Sequence, residues 1–508
     1  MYSVRKTKTA SGATAVQIVR YKYRKKIIVK HIGSAHTEKE LASFTQIAKD
    51  WIEKESRQQP LFIFATTRAQ TLIPIDKCQY LGFYYTFIYE VISEIFRMFR
   101  LDGLDHFLRD FALIRIIQPA SKLESVTLLS EFFGKTYKRA DLYRALPAFV
   151  DQKDSIESKM ITIARDHFHF DFSLVFYDVT TVYFETFKED EEEFKKPGFS
   201  KDNKPNQPQI VIGLIVTREG FPVSYDVFEG NTFEGHTFIP TIRSFKERYK
   251  IETLTVVADA AMISFDNIEK LKEHHLSYIV GARVANLKRE EIKQLNQELT
   301  GGVQDLEELV KRDESSTRIE TERGLLVCNF SLKRYRKDKR EMEKQIQKAE
   351  WLIKEGKGIK RTKFLTTREK NKTAQILNTQ LIEKTKLLLG IKGYYTNLTD
   401  EDNKTIIDHY HSLWHVEQAF RIAKSDLQMR PIYHFKKQTI QAHVLICFIA
   451  LAVCRYMELK THKATKKIVK LFKSITDARL KNLITDEEII LRSEVTEEIQ
   501  QILKTLWY

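Results

Sequence analysis

The sequence predicts a mixed α/β protein, and three observations carry that prediction. Between about 172 and 285, strand-like and helix-like apolar patterns follow one another in the order three strands, helix, strand, helix, strand. The segment "LTVVADAAM" is nearly all apolar, as a strand buried on both faces of a sheet must be. A strongly charged stretch over 286–395 then interrupts the pattern before apolar helical spacing resumes at 404–458.

Taken in order, residues 1–60 form a basic, β-rich region. "TAVQIVRYKYRKKIIVKHIG" interleaves Val, Ile and Tyr with Arg20, Lys22, Arg24, Lys25 and Lys26. Those cations either face phosphates or form the charged outer face that protects a small sheet. Residues 61–170 read as helices, with 3.6-type spacing in "YTFIYEVISEIFRMFR" and "LDHFLRDFALIRIIQ". This region is either a module that grips nucleic-acid ends or a bundle that supports the core.

The core spans 171–285 and 396–460. "FSLVFYDVTTVYFET", "QIVIGLIVT" and "VSYDVFEG" are its first three strands, the last two joined through "REGFP", and the acidic run "KEDEEEFKK" follows the first. "HTFIPTIRSFKERY" and "SFDNIEKLKEHH", the latter opened by Ser264, are helices, and "LSYIVGARV" is a strand. Residues 286–395 form an inserted domain in which "SLKRYRKDKREMEKQIQKAEWLIKEGKG" is a long solvated helix or helix pair. Residues 461–508 form a charged helical tail.

The 508 residues exceed one ordinary domain. Lys+Arg 83 against Asp+Glu 68, a formal charge of +15, points to a polyanionic partner, nucleic acid first. The four cysteines show no CxxC or metal-ligand spacing, the usage of a reducing cytoplasm. No apolar leader is evident at the N-terminus. The longest apolar stretch, "HVLICFIALAVC", is shorter than the roughly 20 residues of a membrane span. A buried helix is expected there, and no membrane partner.

Three carboxylates stand out. Asp178 interrupts the apolar run "LVFYDVTTVYF", and Asp259 ends the buried strand "LTVVA". Enclosed carboxylates are costly unless paired or bound to a cation, although an Asp at a strand end also serves to cap a following helix. Glu417 lies in "DHYHSLWHVEQAFRIAK", read as one amphipathic helix in which Tyr410, Glu417 and Lys424 fall seven apart on one face. It borders the apolar stripe Leu413, Val416, Phe420, Ala423, Leu427. A Glu417–Arg421 ion pair, worth a few tenths of a kcal/mol, is its plainer role. Three such carboxylates can gather two Mg²⁺ ions, which need only hard oxygen donors.

At these residues the chain resembles a DDE transposase of a prokaryotic insertion sequence, of the insertion-sequence-four type. Tyr410, Glu417 and Lys424 match its Y-x2-R-x3-E-x6-K motif; Leu413 stands where the motif has Arg, and Arg421 would supply that cation. "GFSKDNKPNQPQIVIGLIVTREGFPVSYDVFEGNTFEGHTF" also resembles the segment between the two Asp strands of that group. The second Asp is followed by Ala260-Ala261. The resemblance covers about 80–508 and implies a ribonuclease-H-like core with a domain inserted before the catalytic Glu. By resemblance, Asp178 and Asp259 would hold two Mg²⁺ ions, with Mn²⁺ able to substitute, and Glu417 would complete the second site. Lys424 and Tyr410 would contact phosphates near the cut, and Trp351 would stack an extruded base. The partner implied is double-stranded DNA, both the terminal inverted repeats and the target. It would be held by a homodimer acting in the cytoplasm at the nucleoid. A transposase-derived DNA-binding regulator without activity, and a ribonuclease-H-like nuclease without strand transfer, are the alternatives.

Overall fold

The structure, a computed structural model, describes residues 2–22, 25–56, 75–186, 194–204, 206–262, 264–303, 305–321, 324–355, 362–368 and 371–507. Arg24, the first part of the expected helical region up to 74, and the acidic residues of 187–193 lie outside the described residues.

In chain order, strands β1 (Tyr2–Lys8), β2 (Thr14–Lys22) and β3 (Lys25–Ala35) precede helix α1 (Glu38–Ser56) and strand β4 (Cys78–Tyr84). Five helices follow: α2 (Thr86–Met98), α3 (His106–Ile117), α4 (Lys122–Phe133), α5 (Arg139–Ala145) and α6 (Lys153–Phe168). Then come β5 (Leu174–Tyr183), β6 (Gln209–Val216), β7 (Pro222–Glu229), α7 (Glu234–Arg248), β8 (Thr255–Ala258), α8 (Phe265–Glu273) and β9 (Ser277–Ala282). The next stretch holds α9 (Arg289–Thr300), α10 (Leu306–Lys311), β10 (Ser316–Thr321), β11 (Gly324–Phe330) and α11 (Leu332–Glu355). It continues through β12 (Leu365–Arg368), β13 (Asn371–Leu377), α12 (Thr379–Leu387) and β14 (Ile391–Thr396). The chain ends with α13 (Asn403–His411), α14 (Trp414–Arg421), α15 (Lys437–Thr461), α16 (Thr465–Lys473), β15 (Asp477–Asn482), β16 (Glu488–Arg492) and α17 (Glu497–Trp507).

The chain divides into two compact units. One comprises Met1–Glu90, Glu131–Gly134 and Lys470–Gln501; the other comprises Val91–Ser130, Lys135–Val469 and Ile502–Tyr508. In the first, β1, β2 and β3 form an antiparallel meander. Val16, Ile18 and Ile32 on it pack against Ile47 and Ala48 of α1. Bulges at Val16/Gln17 and Ile18/Val19 interrupt the alternation of β2, so the consecutive residues Ile18 and Val19 are both buried. A second sheet orders β16-β15-β4. The expected helical tail therefore also carries a strand pair. The charged alternation of "DARLKN" and the shortness of "EIILR" hide the strands, and ion pairing holds them. Arg492 donates to Asp477 at 2.8 Å and to Glu90 at 2.8 Å, and the donation to Asp477 holds that carboxyl below its ordinary range.

The second unit is built on an eight-stranded sheet in the order β10-β11-β14-β9-β8-β5-β6-β7. β5, β6 and β7 are an antiparallel meander, as the short "REGFP" turn requires, and β8 and β9 lie parallel to β5 through helical crossovers. A three-stranded meander followed by two parallel strands is the ribonuclease-H-like arrangement expected. The stretch over 286–395 does not stand clear of this core. Its strands β10 and β11, joined by β14, extend the same sheet, while β12 and β13 pair separately.

Helix α15 is long and apolar enough by composition to cross a membrane, yet 94% of its most apolar window is buried inside the protein. It packs against α3 and β7, with the Phe448 ring 4.8 Å from that of Tyr225. Phe448→Ala should therefore lower unfolding stability by about 3–5 kcal/mol. Denaturant unfolding measures it, and an unchanged midpoint would show that α15 is not a core helix.

Candidate active site

Two strands set the first two carboxylates side by side. In the parallel pair β5–β8, Tyr177 is level with Ala258; Asp178 follows within β5 and Asp259 follows just past the end of β8. Adjacent strands run about 4.8 Å apart. β8 ends at Ala258, and the carbonyl of Asp259 accepts from Met262 N at 3.0 Å as the chain turns away. Asp178 remains inside the longer β5 and is largely enclosed. Burial pushes its carboxyl up to about 6; Asp259 and Glu234 push the same way, while Lys201 opposes them. Lys201 Nζ lies 4.0 Å from Asp178 and 3.0 Å from Glu234, and it donates to the carbonyl of Val179 at 2.6 Å. Glu234 opens α7, whose positive end suits a carboxylate.

The stretch Asp408–Lys424 is not one helix. α13 stops at His411, and the chain tightens. Leu413 N bonds to the carbonyl of Tyr410 at 3.0 Å and Val416 N to that of Leu413 at 3.1 Å. Three-residue spacing puts Tyr410, Leu413 and Val416 on one buried face. After α14 a wider π turn, Ile422–Asp426, swings Lys424 inward. The predicted single face through Tyr410, Glu417 and Lys424 is thus broken twice, because burying Leu413 requires the tight turn.

Tyr410 is buried, and its hydroxyl donates to Asp259 Oδ1 at 3.1 Å rather than facing solvent. Gly281 on β9 makes room for it: a Cβ there would lie 2.4 Å from the Tyr410 oxygen. The Tyr394 ring lies 4.6 Å away, and Lys392 Nζ sits 4.3 Å from the Tyr410 ring centre. Burial, then Asp259, raises the Tyr410 hydroxyl far above its ordinary value. Burial lowers the Lys392 ammonium, against the pull of Asp259 and Glu417.

Glu417 is exposed in the first turn of α14, which packs against β5 and β6. Among the described residues it forms no ion pair with the exposed Arg421. Nor do any three His, Cys, Asp or Glu side chains among the described residues converge on one ion position. Glu417 and Asp259 both act on the Tyr410 hydroxyl and the Lys392 ammonium. Leu413 is core. Lys424 reaches Asp202 at 3.2 Å, where Arg430 also pairs. Trp351, on α11, is half exposed.

Sequence reading missed Lys201, Asp202, Glu234, Lys392 and Arg430. The signal available was the Lys-Asp step inside "GFSKDNKPNQP", where neighbouring opposite charges serve two different partners. The Asp178–Asp259 pair fits a divalent cation. Its donors are hard oxygens, and an ammonium already answers the charge of Asp178.

Without a cation, the raised Asp178 value has a consequence for stability. Between its ordinary 3.8 and about 6 the folded chain binds more protons than the unfolded one. Stability should fall as pH rises through that window, by about 1–3 kcal/mol, and level off above it. Asp178→Asn should remove this slope and raise the neutral-pH melting temperature of metal-free protein. Thermal unfolding from pH 4 to 7 tests this; the same slope in wild type and variant would refute it.

Residues 169–453 match the family described as Transposase DDE domain. A solved structure of a piggyBac transposase synaptic complex with hairpin DNA aligns at 10% identity with a TM-score of 0.37, covering 84% of this chain and 75% of that one. A likeness of that size adds nothing to the argument. No curated protein matches. The family match spans more than half of the chain and holds both aspartates, Glu417 and the residues around them: the chain belongs to the transposase DDE domain family.

Proposed function

We propose that this transposase binds the terminal inverted repeats of an insertion sequence and carries out divalent-metal-dependent DNA cleavage and strand transfer. The observation that supports this most directly is the pair Asp178–Asp259, the two residues that follow the level positions Tyr177 and Ala258 of the parallel strands β5 and β8. These two would hold Mg²⁺, or Mn²⁺ in its place, with Glu417 joining from α14. When bound, the ions supply an activated water and charge stabilisation for phosphoryl displacement.

The chain's own groups have separate tasks. Tyr410 fixes the orientation of Asp259 by its hydrogen bond, with Tyr394 and Lys392 backing its ring. Lys201 balances the charge of Asp178 and Glu234. Lys424 and Arg430 present positive charge suited to a DNA phosphate, and the Asp202 carboxylate answers that charge when DNA is absent. Arg421 is exposed and Trp351 half-exposed, so both side chains would reach DNA at the surface. The reaction needs two ends held together, so the working form proposed is a homodimer on double-stranded DNA, acting in the cytoplasm at the nucleoid.

Cleavage of a duplex carrying the element's end, with Mg²⁺, tests the reading. Asp178→Asn, Asp259→Asn and Glu417→Gln should each lower cleavage by roughly 100-fold or more, while end binding in a gel-shift assay survives. Wild-type-level cleavage by any one of them would remove that residue from the metal set. Binding without cleavage by the wild-type chain would instead favour a DNA-binding regulator. Affinity should also fall steeply with salt, log K against log [salt] sloping by about −0.9 per phosphate contacted. A flat response in the same binding assay would count against phosphate contacts.

A further inference from the structure

Away from the carboxylate pair, a cavity of about 500 Å³ lies between α3, the start of α4, α5 and the segment 428–434. Its wall collects five basic side chains: Arg115, Lys122, Arg430, His434 and His443. Arg115, Lys122 and His443 are each about 5% exposed or less. Arg115 Nη1 is fixed by the carbonyls of Leu427 and Gln428, each at 3.2 Å. His443 Nε2 lies 2.9 Å from the carbonyl of Met429, and its Nδ1 lies 3.1 Å from Lys122 Nζ. A carbonyl only accepts, so Nε2 carries the hydrogen, Nδ1 is the acceptor, and Lys122 is the donor. The imidazole is then neutral, and the cationic groups at this wall are the lysine and the arginines.

Asp202 answers the charge of Arg430, but that of Arg115 and Lys122 has no internal answer. Among the described residues neither Arg115 nor Lys122 pairs with a carboxylate, and the sole acidic side chain lining the cavity, Glu124, is solvent-exposed. Burial and the nearby Arg115 both press the Lys122 ammonium down. Enclosing cations without a counter-ion is costly. The twelve-residue α4 adds its positive end at the same place, capped by Ser121 Oγ, which accepts from Glu124 N at 3.2 Å. Tyr143 and Tyr433 stand at the rim with exposed rings. Arg430 belongs both to this wall and to the Asp202–Lys424 cluster, so the cavity adjoins the candidate active site.

We propose that this cavity binds the phosphate of a nucleotide, its oxygens met by Lys122, Arg115, Arg430 and the amino end of α4, with the base against Tyr143 or Tyr433. The phosphate can come from a DNA strand or from a free nucleotide. The inference stands on the cavity and does not require the cleavage chemistry proposed above.

Thermal unfolding of the full chain tests it, with inorganic phosphate titrated against chloride at equal ionic strength. The melting temperature should rise saturably with phosphate and not with chloride. Lys122→Met keeps the stem and removes the charge; Ser121→Asp keeps an N-cap and sets a carboxylate at the mouth. Each should weaken the phosphate response by about tenfold or more, and the second serves should the first fail to fold. Deoxyadenosine monophosphate and a short single-stranded oligonucleotide then separate the sources. An oligonucleotide acting at about tenfold lower concentration assigns the site to a strand, and equal potency assigns it to a free nucleotide. No phosphate-specific rise in the wild type, or an undiminished rise in the folded variants, overturns the proposal. A chain that cleaves DNA yet ignores phosphate would keep its cleavage chemistry and lose this site.

Discussion

Two carboxylates that follow level residues of neighbouring parallel strands are the constraint on which the rest of this site depends. The register of β5 and β8, with Tyr177 level with Ala258, brings the residues that follow, Asp178 and Asp259, into the same neighbourhood, and each acts on the other's surroundings: Asp259 helps to raise the Asp178 carboxyl. Like charges so close are unfavourable, and one of them is enclosed, so each needs its own relief. Asp178 has the Lys201 ammonium. Asp259 has the Tyr410 hydroxyl, which reaches it only because position 281 carries no side chain. Replacing either support would leave the charge where it is and remove what makes it tolerable.

The same constraint explains why the loop between β5 and β6 matters. Lys201 and Asp202 are consecutive, yet they serve opposite ends of the site: one answers the carboxylates, the other answers Lys424 and Arg430. Together they give the site internal partners of the charges that a cation and a phosphate would carry under the proposed function. Both pairings are partly buried, so a ligand that broke them would exchange one set of charge pairs for another rather than expose unpaired groups.

Much of the core was legible because burial writes itself into composition. The meander, the nearly all-apolar β8 and the apolar α15 were all readable, as was Asp259 at a strand end. Charged alternation was not readable as strand in β15, and β10 and β11 carry no pattern that says they join the core sheet rather than a separate one. Periodicity also misled at Asp408–Lys424. A seven-residue spacing presumes an unbroken helix, whereas the buried Tyr410, Leu413 and Val416 impose a three-residue spacing that no pattern of polar residues announces. Lys201, Asp202, Lys392 and Arg430 were missed for a different reason. They are ordinary surface-type residues whose partners lie well apart in sequence, and beyond the Lys-Asp step at 201–202 a single sequence carries no mark of such pairings.

The continuity of the sheet through β14 gives the charged stretch over 286–395 a second role. β14 pairs with β9, and Lys392 and Tyr394 on it back the ring of Tyr410, whose hydroxyl holds Asp259. A chain of contacts therefore runs from the last strand of this stretch to one of the two carboxylates. An insertion that merely hung from the core would leave Tyr410 without that backing. Because its strands are hydrogen-bonded into the core sheet, the stretch and the ring beneath Asp259 belong to one continuous sheet rather than to two bodies joined by a linker.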